Sequence, residues 1–172
     1  MRNFLRDSRG AAAVEFAIFS LVLAYSTMNA VDIAFYTHER MEVAKAAQVA
    51  AETVWSTCNN VQIDLPATQN CPGLNAAIQT AIYSTGLGQA VSLASGSPSE
   101  GYYCVNTSGS LQQVGSLASK PADCSAVGSP TTSPGDYILI SATAPYSAFF
   151  RVSVMGVIGL TSITQTSWMR VG

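Results

Sequence analysis

A single glutamate, Glu15, stands at the start of the most apolar stretch of this 172-residue chain. It lies five positions after Gly10, in the sequence R-G-A-A-A-V-E-F that runs from Arg9 to Phe16. A carboxylate near lipid costs roughly 2.5 to 3.5 kcal/mol on insertion scales, and less toward the interface. Chance is therefore a poor explanation of this glutamate. A nearby group of opposite charge would offset part of the cost, because pairing lowers the penalty of holding each charge in an apolar setting.

The stretch behind Glu15 is long enough to be considered as a membrane span. Residues 16–31 carry no charge, and Asp32 is the next charged residue. Roughly 20 residues are needed to cross a bilayer. The stretch reaches that length when the residues on either side are counted at the two interfaces. We therefore predict a transmembrane segment over residues 11–36.

Helix-forming sequence continues beyond this segment without a break. Alanine is frequent up to Trp55, and neither glycine nor proline occurs between Gly10 and Pro66. Apolar or small side chains recur on one face at steps of three and four residues: Ile33, Tyr36, Val43, Ala47, Ala50 and Val54. The pattern predicts one helix over residues 12–55, about 65 Å long at about 1.5 Å per residue. Its first half would lie in the membrane, and its second half would pack on a globular head.

Beyond Trp55 the composition turns to Asn, Gln, Ser, Gly and Pro, and shorter elements are predicted. We expect a helix over residues 74–83 and strands over residues 90–94, 101–105, 136–144 and 160–171. The predicted fold class is α+β. A long N-terminal helix would pack on a small antiparallel-sheet head. The head would comprise residues 37–172, which include the amphipathic half of the helix.

Four cysteines, Cys58, Cys71, Cys104 and Cys124, all lie in this head. Their spacing lacks the close ligand pairs of a zinc site, so we expect two disulfides and no metal. We favour pairing Cys58 with Cys71 and Cys104 with Cys124, although two other pairings remain open. Disulfides require an oxidising compartment. The basic residues before Gly10 would stay cytoplasmic, which places the head on the opposite side of the membrane.

The second most apolar stretch, P-Y-S-A-F-F-R-V-S-V-M-G-V-I-G-L, separates the last two predicted strands. It is too short to span a membrane, and two glycines interrupt it. Its side chains would either face an interface or partner, or close the core of the head, which base rates favour. The partner-contact candidates are Phe149, Phe150, Val152 and Met155. The core candidates are Phe149, Val152, Met155 and Ile158.

Composition argues against several classes of function. The formal net charge of −2 disfavours nucleic-acid binding. Charged residues make up only 10% of the chain, which disfavours an ordinary soluble globule. His38 lies among charged helix residues, and Gly86-Leu87-Gly88 lacks the strand and helix that a nucleotide loop requires. We therefore expect neither an enzyme nor a cofactor.

Two regions together resemble the TadE-like proteins, which are minor pilins or pseudopilins of the tight-adherence (Flp, type IVc) pilus system. The first is R-G-A-A-A-V-E-F-A with its helix, over residues 9–51. The second is a strand, an apolar connection and I-T-Q-T-S-W-M-R-V, over residues 137–171. The resemblance implies that residues 1–10 are a prepilin-type leader. A membrane prepilin peptidase would cut between Gly10 and Ala11, and Glu15 and Phe16 would serve processing and assembly.

The resemblance also implies partners and a location. The partners would be the prepilin peptidase, other pilins, Tad assembly-platform proteins and inner-membrane lipid. The protein would cross the bacterial inner membrane once, with a periplasmic head, and could enter an extracellular pilus. The alternative is a permanently anchored periplasmic binding or adhesion module that keeps residues 1–10. A secretory signal cut near Ala24 is a third fate, which the glutamate and the continuing helix disfavour.

Overall fold

The computed structural model describes residues 8–58 and 65–172. It begins with a single helix of 50 residues, α1 (Ser8–Thr57). The predicted long helix is therefore confirmed, and no glycine or proline interrupts it after Gly10. It extends slightly further at both ends, through Gly10 to Ser8 and onward to Thr57. The first seven residues of the predicted leader lie outside the described residues.

Two shorter helices follow, α2 (Ala67–Asn70) and α3 (Leu74–Tyr83). The bounds of α3 are those predicted from its flanking turn residues. Gly73 precedes it with φ at 79°, a conformation that a residue without a Cβ adopts freely. The inward face of α3 carries Leu74, Ile78 and Ile82, all of which are buried. Both expected disulfides are present, Cys58–Cys71 and Cys104–Cys124.

A five-stranded antiparallel sheet forms the rest of the fold. Its strands are β1 (Ser92–Leu93), β2 (Ser99–Val105), β3 (Leu111–Gln113), β4 (Gly135–Pro145) and β5 (Ser162–Arg170). Strand β5 pairs with β4 from Tyr137↔Arg170 to Pro145↔Ser162. The other edge of β4 pairs with β2 and, further along, with β1, while β3 pairs with β2. A short helix, α4 (Val154–Ile158), lies between β4 and β5.

The strand predictions hold best where side chains alternate between a buried and an exposed face. Strands β2, β4 and β5 fall within two residues of the expected bounds. The strand expected over residues 90–94 shrinks to β1, because a 3₁₀ turn occupies Gly88–Ala90. Strand β3 was not predicted, since all three of its residues are exposed and show no alternation.

The chain divides into two compact units. The helical unit comprises Met1–His38, described from Ser8 onward, and Tyr146–Thr161. The sheet unit comprises Glu39–Pro145 and Ser162–Gly172. Helix α1 contributes residues to both units.

In the sheet unit, the second half of α1 presents its small side chains to the core. Val43, Ala47, Ala50 and Val54 are fully buried, as the sequence pattern predicts. The inward face of β4 contributes Ile138, Ile140, Ala142 and Ala144 to the same core. Small residues on a helix allow a close approach to the elements packed against it, because they add little bulk beyond the backbone.

In the helical unit, the first half of α1 leaves its apolar side chains uncovered. Phe16 is 75% exposed and Leu21 is 71% exposed. Ile33, which the sequence pattern placed on the packed face, is 47% exposed. Among the described residues, α1 is the one helix that is long and apolar enough to cross a membrane. By length and composition it could be a membrane anchor.

Candidate functional site

The residues of the N-terminal motif follow one another in the first turns of α1. Glu15 and Phe16 are both exposed. Glu15 forms no hydrogen bond or ion pair with any described residue. Within residues 8–58 and 65–172 its carboxylate therefore has no partner that would explain its place at the start of the apolar stretch.

Gly10 has no structural role that requires a glycine. It lies within α1, and a Cβ added to it would meet no atom within 4 Å. Glycine in a helix is less stable than alanine by roughly 0.5 to 1 kcal/mol. The described residues therefore leave room for alanine at this position.

A second constellation in the helical unit centres on Asp32, which is fully buried. Its Oδ1 accepts the backbone N–H of Phe149 at 3.0 Å. The N–H of Phe150 lies 3.3 Å from Oδ1 and 3.2 Å from Oδ2, and the hydroxyl of Ser153 donates to Oδ2. A buried carboxylate is tolerated when several donors point at it. The Asp32 carboxylate thus holds Tyr146–Thr161 on α1, and we call Tyr146–Thr161 the docked segment.

Neighbouring side chains complete this attachment. Asn29, one turn before Asp32, accepts the N–H of Val154 through Oδ1 at 2.8 Å. Val154 is the first residue of α4, so Asn29 satisfies an N–H that has no partner within that helix. Ser153 is the N-cap residue of α4, and its Oγ accepts the N–H of Gly156 at 3.1 Å. The start of α4 is therefore capped by one side chain from α1 and one from the docked segment.

Aromatic rings lie beside these polar contacts. The rings of Phe35 and Phe149 are stacked, with centroids 6.2 Å apart. The rings of Tyr36 and Tyr146 meet edge to face at 5.4 Å. Both centroid distances fall in the range at which a pair of aromatic rings adds stability beyond that from burying their apolar surface.

Base rates suggested that the docked segment closes the core of the head, but most of its large side chains are exposed. Phe149 is 74% exposed, Val152 is 62% exposed and Ile158 is 61% exposed, so the core interpretation is wrong for these three. Phe150 and Met155 are half-buried. The physical reason is that the segment attaches through backbone N–H groups and Ser153, which leaves most of its large side chains facing outward.

A different pair of carboxyl groups lies in the sheet unit. Glu100 on β2 is only 9% exposed, and its Oε1 accepts the N–H of Ala67 at 2.6 Å. Its Oε2 accepts the N–H of Thr68 at 2.7 Å and the Thr68 hydroxyl. Ala67 and Thr68 begin α2, so the hydrogen bonds that Glu100 accepts join that helix to the sheet.

The second carboxyl group of the pair, Asp136, lies on the inward face of β4 and is 1% exposed. Neither of its oxygens accepts a hydrogen bond from the described part of the chain. Burial raises the pKa of Asp136 to about 7, and the negative charge of Glu100 adds to the increase, whereas Lys120 opposes it. The sheet register pairs Tyr102 with Asp136, which sets Glu100 on the same face two residues away. When Asp136 is protonated it can donate a hydrogen bond to Glu100, and this interaction further raises the pKa of Asp136.

Sequence reasoning identified the cysteines and the N-terminal motif, but it missed five polar residues: Asn29, Asp32, Glu100, Asp136 and Ser153. A signal existed for two of them. Asp32 is the charge that directly follows the uncharged run, and a carboxylate there needs donors. Asp136 has the same strand parity as Ile138 and Ile140, which places it on the buried face.

The chain matches no protein-family model, no curated protein and no solved structure at a significant level.

Proposed function

We propose that this chain is a minor pilin or pseudopilin needed for assembly of a type IVc (Tad/Flp) adhesion pilus, and that a prepilin peptidase cuts it after Gly10. The observation that carries the proposal is the glycine itself. It is the third residue of a helix whose apolar half is uncovered, at a position where alanine would favour the helix more than glycine does. Recognition by a peptidase accounts for a residue that the fold does not require.

The proposed cut also gives Glu15 a partner. Cleavage after Gly10 would leave the ammonium group of Ala11 one helical turn from the Glu15 carboxylate, since residues four apart are neighbours on a helix. The carboxylate would lie in the first turns of the new helix, where the dipole favours negative charge. Pairing within one chain, or with the Glu15 of a neighbouring subunit, lowers the cost of holding both charges in an apolar setting.

The uncovered apolar half of α1 supports the proposal, because a pilin helix moves from lipid into contact with other subunits during assembly. Its apolar side chains would contact lipid before assembly and the helices of other pilins afterwards. The sheet unit carries both disulfides, which suits a periplasmic location. The partners of this proposal are the prepilin peptidase, other pilins, the Tad assembly platform and inner-membrane lipid.

The test is the intact mass and N-terminal sequence of the protein isolated from membranes, with and without the cognate prepilin peptidase. The proposal expects a chain that starts at Ala11 only when the peptidase is present. A chain that keeps Met1 in both strains would contradict it and favour the permanently anchored binding module. A start near Ala24 would indicate a secretory signal instead.

A further inference from the structure

The docked segment concentrates exposed apolar side chains on one part of the helical unit. Phe149 is 74% exposed, Val152 is 62%, Val157 is 76% and Ile158 is 61%. Phe35, which stacks on Phe149, is itself 53% exposed. Exposed apolar residues that occur singly are normal, but a contiguous group of them marks an interaction surface.

The attachment to α1 fixes the level of this surface along the helix. Asn29 and Asp32 hold the docked segment at the end of the uncharged run over residues 16–31. From Glu15 to Asp32 the helix rises about 26 Å at about 1.5 Å per residue. The hydrocarbon core of a bilayer is about 30 Å thick. If Glu15 lies near one interface, the docked segment lies near the other.

The charges of the docked segment suit a lipid surface. Arg151 is the single charged residue in the sequence Y-S-A-F-F-R-V-S-V-M-G-V-I-G-L-T, and its side chain is exposed. A long cationic side chain among apolar residues can reach lipid phosphate while its neighbours enter the acyl region. A cleft of about 380 Å³, lined by Val31, Ala34, Phe35 and His38, adds apolar surface at the same level of α1.

We propose that the docked segment is a second membrane contact. Phe149, Val152, Val157 and Ile158 enter the periplasmic interface of the bilayer that α1 spans, and Arg151 binds lipid phosphate. The stacked rings of Phe35 and Phe149 join the apolar surface of α1 to that of the docked segment, so the periplasmic leaflet covers the docked segment and the adjoining end of the span. This inference rests on the membrane-anchored state in the proposed function, but it does not depend on cleavage or on pilus assembly.

The experiment measures membrane depth with a fluorophore on one introduced cysteine. The described part of the chain has no free cysteine. The full chain is reconstituted in phosphatidylethanolamine and phosphatidylglycerol vesicles, with a lipid-borne quencher near either the carbonyl end or the methyl end of the acyl chain. Val157→Cys and Val152→Cys report on the docked segment. Leu21→Cys is the control within the span, and Ser108→Cys is the control on an exposed loop of the sheet unit.

We expect both docked-segment labels to be quenched, and more strongly by the shallow quencher than by the deep one. Leu21→Cys should respond more to the deep quencher, and Ser108→Cys to neither. Labels at Val157 and Val152 that behave like Ser108→Cys, with Leu21→Cys still quenched, would overturn this inference and leave the anchor intact. The same unquenched labels combined with cross-linking between copies through Val157→Cys would assign the surface to a second chain, which also overturns it. A Leu21→Cys label that is not quenched would remove the anchored state on which both proposals rest.

Discussion

The hydroxyl of Ser153 donates a hydrogen bond to the carboxylate of Asp32, although 121 residues separate them in the sequence. Both side chains are fully buried. The contact joins the first helix of the chain to the connection between its last two strands. Because Ser153 also caps α4, one hydroxyl couples the local order of the docked segment to its attachment.

Removing the Asp32 carboxylate should release the docked segment. Asp32→Ala removes the acceptor of the part-buried Phe149 and Phe150 N–H groups, and each group left unsatisfied costs about 1 to 3 kcal/mol. The Ser153 hydroxyl keeps only the Phe150 carbonyl as its acceptor. Trypsin should then cut after Arg151 much faster in detergent-solubilised protein, as followed by mass spectrometry. Glu39→Ala, which removes a carboxylate of the same helix outside this contact, is the control. Equal cleavage of Asp32→Ala and wild type would show that the attachment does not depend on the carboxylate.

Gly10→Ala should separate the needs of the fold from those of processing. Alanine should stabilise α1 by up to about 1 kcal/mol, since its Cβ has open space and better helix propensity. In cells that contain the prepilin peptidase, the intact mass should nevertheless show that residues 1–10 are retained. Ala12→Gly, which weakens the same turn but keeps Gly10, should still be cut. If Gly10→Ala is processed normally, the glycine is not a recognition residue.

Glu15→Ala should allow cleavage but impair assembly. The peptide bond after Gly10 is unchanged, so the mature chain should still begin at Ala11. The Ala11 ammonium would lose its carboxylate, and incorporation into pili should fall, as measured by immunoblotting of sheared filaments. Glu52→Ala changes an exposed carboxylate in the other half of α1 and should assemble normally. Normal piliation in the Glu15→Ala strain would argue against the charge-pairing role.

The sheet unit should lose stability as the pH rises toward and through about 7. The pKa of Asp136 is raised from 3.8 to about 7 in the fold, so the protonated form is favoured there. Its contribution is complete below about pH 4 and disappears as the proton leaves at higher pH, which amounts to a few kcal/mol. Denaturant unfolding between about pH 5 and pH 8, followed by tryptophan fluorescence, should show this slope.

Asp136→Asn should flatten that slope and stabilise the protein at about pH 8, because the amide stays neutral and can donate to Glu100. The control is Asp123→Asn. Hydrogen bonds from Ser125 lower the pKa of Asp123 below its ordinary value, so it titrates below this pH range. A slope that persists unchanged in Asp136→Asn would assign the pH dependence to other groups.

The parts of the fold that follow from local sequence were predictable. Helix α1 follows from the absence of helix breakers, and α3 from Pro72-Gly73 before it and Gly86 after it. Strands β4 and β5 follow from β-branched and alternating side chains. The attachment of the docked segment was not predictable in this way. It depends on backbone N–H groups that meet a carboxylate more than a hundred residues away, and no periodicity records such a contact.

The connection between β4 and β5 starts and ends at the same cross-strand pair, Pro145 and Ser162. The chain therefore leaves the sheet and returns to it at the same rung of the ladder. The strand register is set by the residues on either side of this point, and the entropy of closing a loop changes only slowly with its length. We therefore expect the alignment of β4 with β5 to persist when the connection between Pro145 and Ser162 is shortened or exchanged, even though Asp32 then loses the donors of the docked segment.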